Sequence, residues 1–232
     1  MNNPKTLARI AGLLYLALAG LGTWAELYAR ATVYVPGNAA ATADNIASHT
    51  TLFRLGLSAD IGMATLFVFL GLVLYRLLHH VDGRAASTLM IFVAVGAGSI
   101  LVNLTFHFGA LLVATDASYV TALGADGAES LVLLLLELHH YGYILGGVFF
   151  GLWLLPMGFL AYRSELFPKT LGILLIVGSF AWLADPLIVF TLPDAPAIVR
   201  NAASLPTSIA EFGLILYLVI FGVRTRKPVA SS

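Results

Sequence analysis

Residues 131–155 read LVLLLLELHHYGYILGGVFFGLWLL, an apolar run of 25 residues in which Glu137, His139 and His140 are the acidic and basic side chains. A helix needs roughly 20 predominantly apolar residues to cross the hydrocarbon of a bilayer. Five further stretches of the same kind flank it. Together they predict helices near 7–31, 51–78, 86–114, 129–161, 168–192 and 204–223. The predicted fold is all-α, a polytopic transmembrane helical bundle of six spans forming one domain over residues 1–232. The fourth helix is too long for one straight crossing, so part of it, such as the part beyond Pro156, leaves the hydrocarbon or kinks there.

Composition agrees with lipid as the solvent. The chain of 232 residues is 59% hydrophobic and 10% charged, against about 25% charged in soluble domains. Its net charge is zero, which offers no field for nucleic acid. Without cysteine there is no disulfide, thiolate metal site or cysteine nucleophile.

The separators carry turn chemistry: Pro36-Gly37-Asn38, Asp82-Gly83, Gly124-Ala125-Asp126-Gly127 and Pro193-Asp194-Ala195-Pro196. Basic residues set the orientation. Lys5, Arg9, Arg76, Arg84, Arg163, Lys169, Arg224, Arg226 and Lys227 share one side if there are six spans. Arg30, Arg54 and Arg200 share the other. Nine against three predicts cytoplasmic termini in a multi-pass protein of the bacterial cytoplasmic (inner) membrane. The first run, preceded by Lys5 and Arg9, also has the layout of a secretory signal peptide. Trp24, Glu26 and the similar segments that follow favour a retained helix.

Ionisable residues inside membrane segments are costly and mark functional positions by default. At 1.5 Å per residue, Glu26, Asp60, Asn103, Asp185 and Glu211 fall about 20–28 Å above the cytoplasmic basic residue of their helix, and His107 and His140 about 34 Å. That predicts a polar layer near the outer leaflet. Asn103 and His107 share a helix face at i,i+4, as do Glu137 and Tyr141, while His140 lies at i,i+3 from both Glu137 and Tyr143. The expected pocket is therefore Glu26, Arg54, Asp60, Asn103, His107, Glu137, His140, Tyr143, Asp185 and Glu211. Arg54 is expected to pair across helices with Glu26 or Glu211.

Four readings follow. The polar layer binds or moves a small solute or a proton, with no cofactor. Alternatively His107, His140 and an acid, Glu137 or Asp60, hold a divalent metal such as zinc in a membrane enzyme. Haem between His107 and His140 fits poorly, because imidazoles at the interface are badly placed for a buried macrocycle. Finally, the charges simply neutralise one another in a structural protein. Gly142 and Gly146 are four apart, as are Gly147 and Gly151, and small residues at that spacing let helices approach closely. The Gly142/Gly146/Gly151 face therefore serves either a central fourth helix within the bundle or, beyond the lipid bilayer as partner, a second copy of the chain. Trp24, Tyr28, Tyr34 and Trp182 read as interfacial anchors, and Asp185-Pro186 as an interfacial turn or, alternatively, a helix break.

Three segments also carry a resemblance. Ala8-Arg9-Ile10-Ala11-Gly12-Leu13-Leu14-Tyr15, then Tyr162-Arg163-Ser164-Glu165-Leu166-Phe167-Pro168 with Leu171-Gly172, then Glu211 with the apolar run to Phe221-Gly222 resemble a bacterial integral-membrane family, domain of unknown function 4386. The resemblance implies a six-helix membrane protein. It brings no activity and no catalytic residues.

Overall fold

A computed structural model describes residues 3–192 and 194–224, without the side chains of 197 and 200–204. Every regular element among the described residues is helical. The first expected helix is α1 (Pro4–Trp24), followed by a π-helical turn (Ala25–Arg30) and a short α2 (Ala31–Val33). Then come α3 (Ala39–Ser48), α4 (Thr50–Leu78), α5 (Gly83–Thr115), α6 (Ala117–Leu123), α7 (Ala125–Arg163), α8 (Lys169–Thr191) and α9 (Ala197–Ile220).

Five stretches are long and apolar enough to cross a membrane: Pro4–Val33, Thr50–Leu78, Gly83–Thr115, Ala125–Arg163 and Lys169–Thr191. In α9 the apolar part is the shorter Leu205–Ile220. The chain thus reads as a multi-pass membrane protein. At 39 residues, α7 measures about 58 Å, nearly twice the hydrocarbon thickness. Pro156 lies within it and does not end it.

Several expectations need correction. The loops after the first and third spans hold helices α3 and α6. Each starts at a side-chain cap: Asn38 accepts from Ala41 N at 3.0 Å, and Asp116 accepts from Ser118 N at 2.9 Å. Such caps satisfy amides that a helix start leaves unpaired. Asp185-Pro186 does not break α8, which continues to Thr191. Helix α9 begins seven residues before the expected 204. Arg226, Lys227 and Pro193 lie outside the described residues, as does the side chain of Arg200.

Two compact units divide the chain. The first takes the described residues of Met1–Leu16, Phe67–Gly96 and Gly147–Ser232; the second takes Ala17–Leu66 and Ala97–Gly146. In the first unit, small residues set the helix spacing. Ser179 Oγ donates to Gly151 O at 2.8 Å and Thr207 Oγ1 to Gly178 O at 2.9 Å. These bonds tie α8 to α7 and α9 to α8 where no large side chain intervenes. In the second unit, Val33, Ile46, Phe53, Ala110, Leu111, Val113, Ala128, Val132 and Leu136 form one apolar core. Thr42 fastens α3 to it, donating to Asn38 O at 2.7 Å and accepting from Val35 N at 3.1 Å.

The Gly142/Gly146/Gly151 face packs within the chain, as expected of a central fourth helix. A Cβ at Gly142 would strike the Asn103 side chain, and one at Gly146 would come 3.2 Å from Ser99 Oγ. A Cβ at Gly151 would come 2.9 Å from Ser179 O.

Gly158 tests this packing. An added methyl there would meet Gly172 O and Ile176 Cγ1 at 2.8 Å, and backbone cannot swing aside as a side chain does. Gly158→Ala is expected to lower stability by about 1–3 kcal/mol, read by denaturant unfolding in detergent. Gly20→Ala, where nothing lies within 4 Å, should not.

Candidate functional site

The second unit gathers a buried polar cluster from four helical segments. It begins at the π-helical turn. A π turn inserts an extra residue and re-aims the side chains around it, and such turns recur at functional sites. Here Ala25 and Ala29 face inward, and Arg30 Nε holds Glu26 Oε2 at 2.7 Å. Arg30 Nη1 reaches Asp60 Oδ2 on α4 at 2.5 Å. Glu26 is half exposed (53%), whereas the Asp60 side chain is 3% exposed. Arg30 therefore links a surface acid to a buried one.

Asp60 Oδ1 remains without a hydrogen bond. Beyond Asp60 stand two imidazoles, His107 on α5 and His139 on α7, 1% and 5% exposed. Their ring centroids lie 4.9 Å apart at 79°. Phe53 closes another side, 4.1 Å from the His107 ring. Neither ring nitrogen of His107 has a hydrogen-bond partner. One ligand atom each from Asp60, His107 and His139 all lie within 4.8 Å of one another. Four residues before His107, Asn103 donates through Nδ2 to His139 O at 2.8 Å, pinning α5 to α7 beside the imidazoles. Gly142 leaves room for that amide.

The expected residues divide. Glu26, Asp60, Asn103 and His107 join this cluster, completed by Arg30 and His139. Arg54 does not: it is exposed and makes no ion pair among the described residues, so Arg30 takes the role expected of it. Arg54 lies six residues from Asp60, a spacing that turns the two to different faces. His140 is exposed, its ring 5.4 Å from that of Tyr141. Neighbours on a helix point about 100° apart, so only one of the two histidines can face inward, and it is His139. Glu137, Tyr143 and Asp185 are half-buried and add no ligand atom to the group. In place of the expected His107, His140 and Glu137, the structure brings His107, His139 and Asp60 together. Val132, Leu136 and His139 are all buried, and that 4-then-3 spacing was the signal in the sequence that favoured His139.

Glu211 belongs to the first unit. Its Oε1 accepts from Trp182 Nε1 at 3.0 Å. The buried Tyr15 hydroxyl faces the same carboxyl without reaching good hydrogen-bond geometry. Trp182, expected as an interfacial anchor, instead packs its ring 5.6 Å from Phe150. It lies over Gly147 and Gly151, where a Cβ would meet it.

The chain is therefore a multi-helix membrane protein with a buried Asp-His-His group. The chain matches the family described as Domain of unknown function (DUF4386) over residues 10–222 and belongs to it. It is also similar to an uncharacterized protein of Archaeoglobus fulgidus, 45% identical over 47 residues, which are 20% of this chain and 29% of that relative. The match thus spans under a third of the relative's length. No solved structure matches the chain.

Proposed function

We propose that the chain is a six-span protein of the cytoplasmic membrane, with both termini cytoplasmic, and that it binds a divalent transition metal at Asp60, His107 and His139. The metal serves a membrane enzyme. The sixth span is α9, whose 24 residues are enough for a crossing. The nine-to-three basic bias supports its orientation.

One observation carries the metal reading: His107 is 1% exposed, with neither ring nitrogen hydrogen-bonded, beside the free Oδ1 of Asp60. Leaving a buried polar atom unpaired costs about 1–3 kcal/mol. Native proteins carry few such atoms, and a cation would satisfy one ring nitrogen of His107 and Oδ1 of Asp60 together. Two imidazoles and a carboxylate suit zinc, and suit ferrous iron as well. In a tetrahedral site, bonds of about 2.1 Å set ligand atoms roughly 3.4 Å apart. Three protein ligands leave a position for water or substrate, as in metal centres that polarise a bond or activate water. Arg30 then acts as the outer partner of the ligating carboxylate, fixing its orientation through Oδ2.

Elemental analysis of detergent-purified protein tests this. Near one equivalent of metal is expected in wild type, falling to background in His107→Ala. Wild type that stays metal-free after incubation with zinc or ferrous iron would leave the cluster a structural ion pair and end the proposal.

A further inference from the structure

Glu211 lies in an apolar helix with no cationic partner. Among the described residues no Lys, Arg or His pairs with it, and its neighbours there are the Trp182 indole from α8 and the Tyr15 hydroxyl from α1. Both groups are uncharged. Among the described residues, Tyr15 is the titratable side chain set against the carboxyl. The surroundings are aromatic. From Trp182 the rings run to Phe150 at 5.6 Å, Phe67 at 6.0 Å, Trp153 at 5.4 Å and Tyr15 at 5.6 Å. Since Trp182 and Tyr15 both face Glu211, this series of rings begins and ends at the carboxyl. Glu211 is half-buried, and an ionised carboxylate there has no counter-charge among the described residues, which a span bears poorly. A carboxylic acid does not have the problem. Its carbonyl oxygen accepts the indole N–H, and its O–H is a donor that the nearby Tyr15 oxygen, without a partner of its own, can accept.

We propose that Glu211 is a proton-binding site of the membrane span, held as the neutral acid by the Trp182–Tyr15 pair and able to release its proton as pH rises. It shares no residue with the Asp60–His107–His139 group and stands or falls independently of the metal.

Dicyclohexylcarbodiimide, an apolar reagent, tests it. The carboxylic O–H adds across one C=N bond, its proton going to nitrogen and its oxygen to carbon. The adduct rearranges to an N-acylurea with no leaving group, so the protein gains the mass of one reagent molecule. Full-length protein in detergent should take up near one equivalent at acidic pH, mapped to the peptide bearing Glu211. Uptake should fall at least tenfold at alkaline pH and vanish in Glu211→Gln. Asp60, paired with Arg30, should stay unlabelled. The infrared carbonyl band of a protonated acid, lost in Glu211→Gln, reads the same state without a reagent. If wild type lacks that band at acidic pH, or if labelling of Glu211 is absent or indifferent to pH, the proposal is overturned.

Discussion

Arg30→Met is expected to destabilise the metal-free protein by about 3–5 kcal/mol, the usual cost of stranding a buried charge. Asp60 is 2% exposed and has Arg30 as its ion-pair partner. Methionine keeps much of the length of the stem while removing the guanidinium, so the lost term is electrostatic. The expectation is sharpened by the double variant. Arg30→Met with Asp60→Leu removes both charges and should recover most of the loss, because well-packed apolar residues often replace a buried pair at little cost. Denaturant unfolding in detergent, with a chelator present, measures all three proteins. A loss below about 1 kcal/mol in the single variant would mean that the pair behaves as a solvated surface bridge. Arg54→Ala, at an exposed and unpaired position, should change little by comparison.

The second large effect separates two adjacent histidines. His139→Ala should abolish stabilisation by metal, while His140→Ala should retain it. A ligand that binds only the folded state at a hundredfold excess over its Kd stabilises by about 2.7 kcal/mol. Wild type and His140→Ala should both show a gain of that order with zinc, and His107→Ala and His139→Ala none. The comparison has a built-in control, since the two substitutions remove the same atoms one residue apart. The buried and exposed environments of the pair make the difference. A metal response that survives His139→Ala and disappears in His140→Ala would restore the first reading of the sequence and contradict the geometry.

The apolar runs were legible because lipid imposes a length and a composition on any segment that crosses it. The start of α4 and both ends of α5 and α8 fall within about three residues of expectation for that reason. What the pattern could not convey is how each helix is rotated. Segments such as α7 and α8 are apolar nearly all round, so no stripe separates inside from outside. Trp182 was misplaced on that account, and the choice between His139 and His140 rested on a faint continuation of the Val132–Leu136 spacing. The exchange of Arg54 for Arg30 has another origin. An i,i+4 count from Glu26 does reach Arg30, and the two pair; what the count does not convey is that Arg30, at the end of a π-helical turn, also reaches Asp60. Helices α3 and α6 are a different matter. Asn38 and Asp116 are strong helix-starting residues, and both could have been read as caps.

X-ray absorption at the edge of the copurified or reconstituted metal reads the proposed ligands themselves. Bound metal should show a first shell of two imidazole nitrogens and carboxylate or water oxygen at about 2.0–2.2 Å, with one imidazole lost in His139→Ala. A spectrum carrying no imidazole scattering, or one unchanged by His139→Ala, would contradict that ligand set.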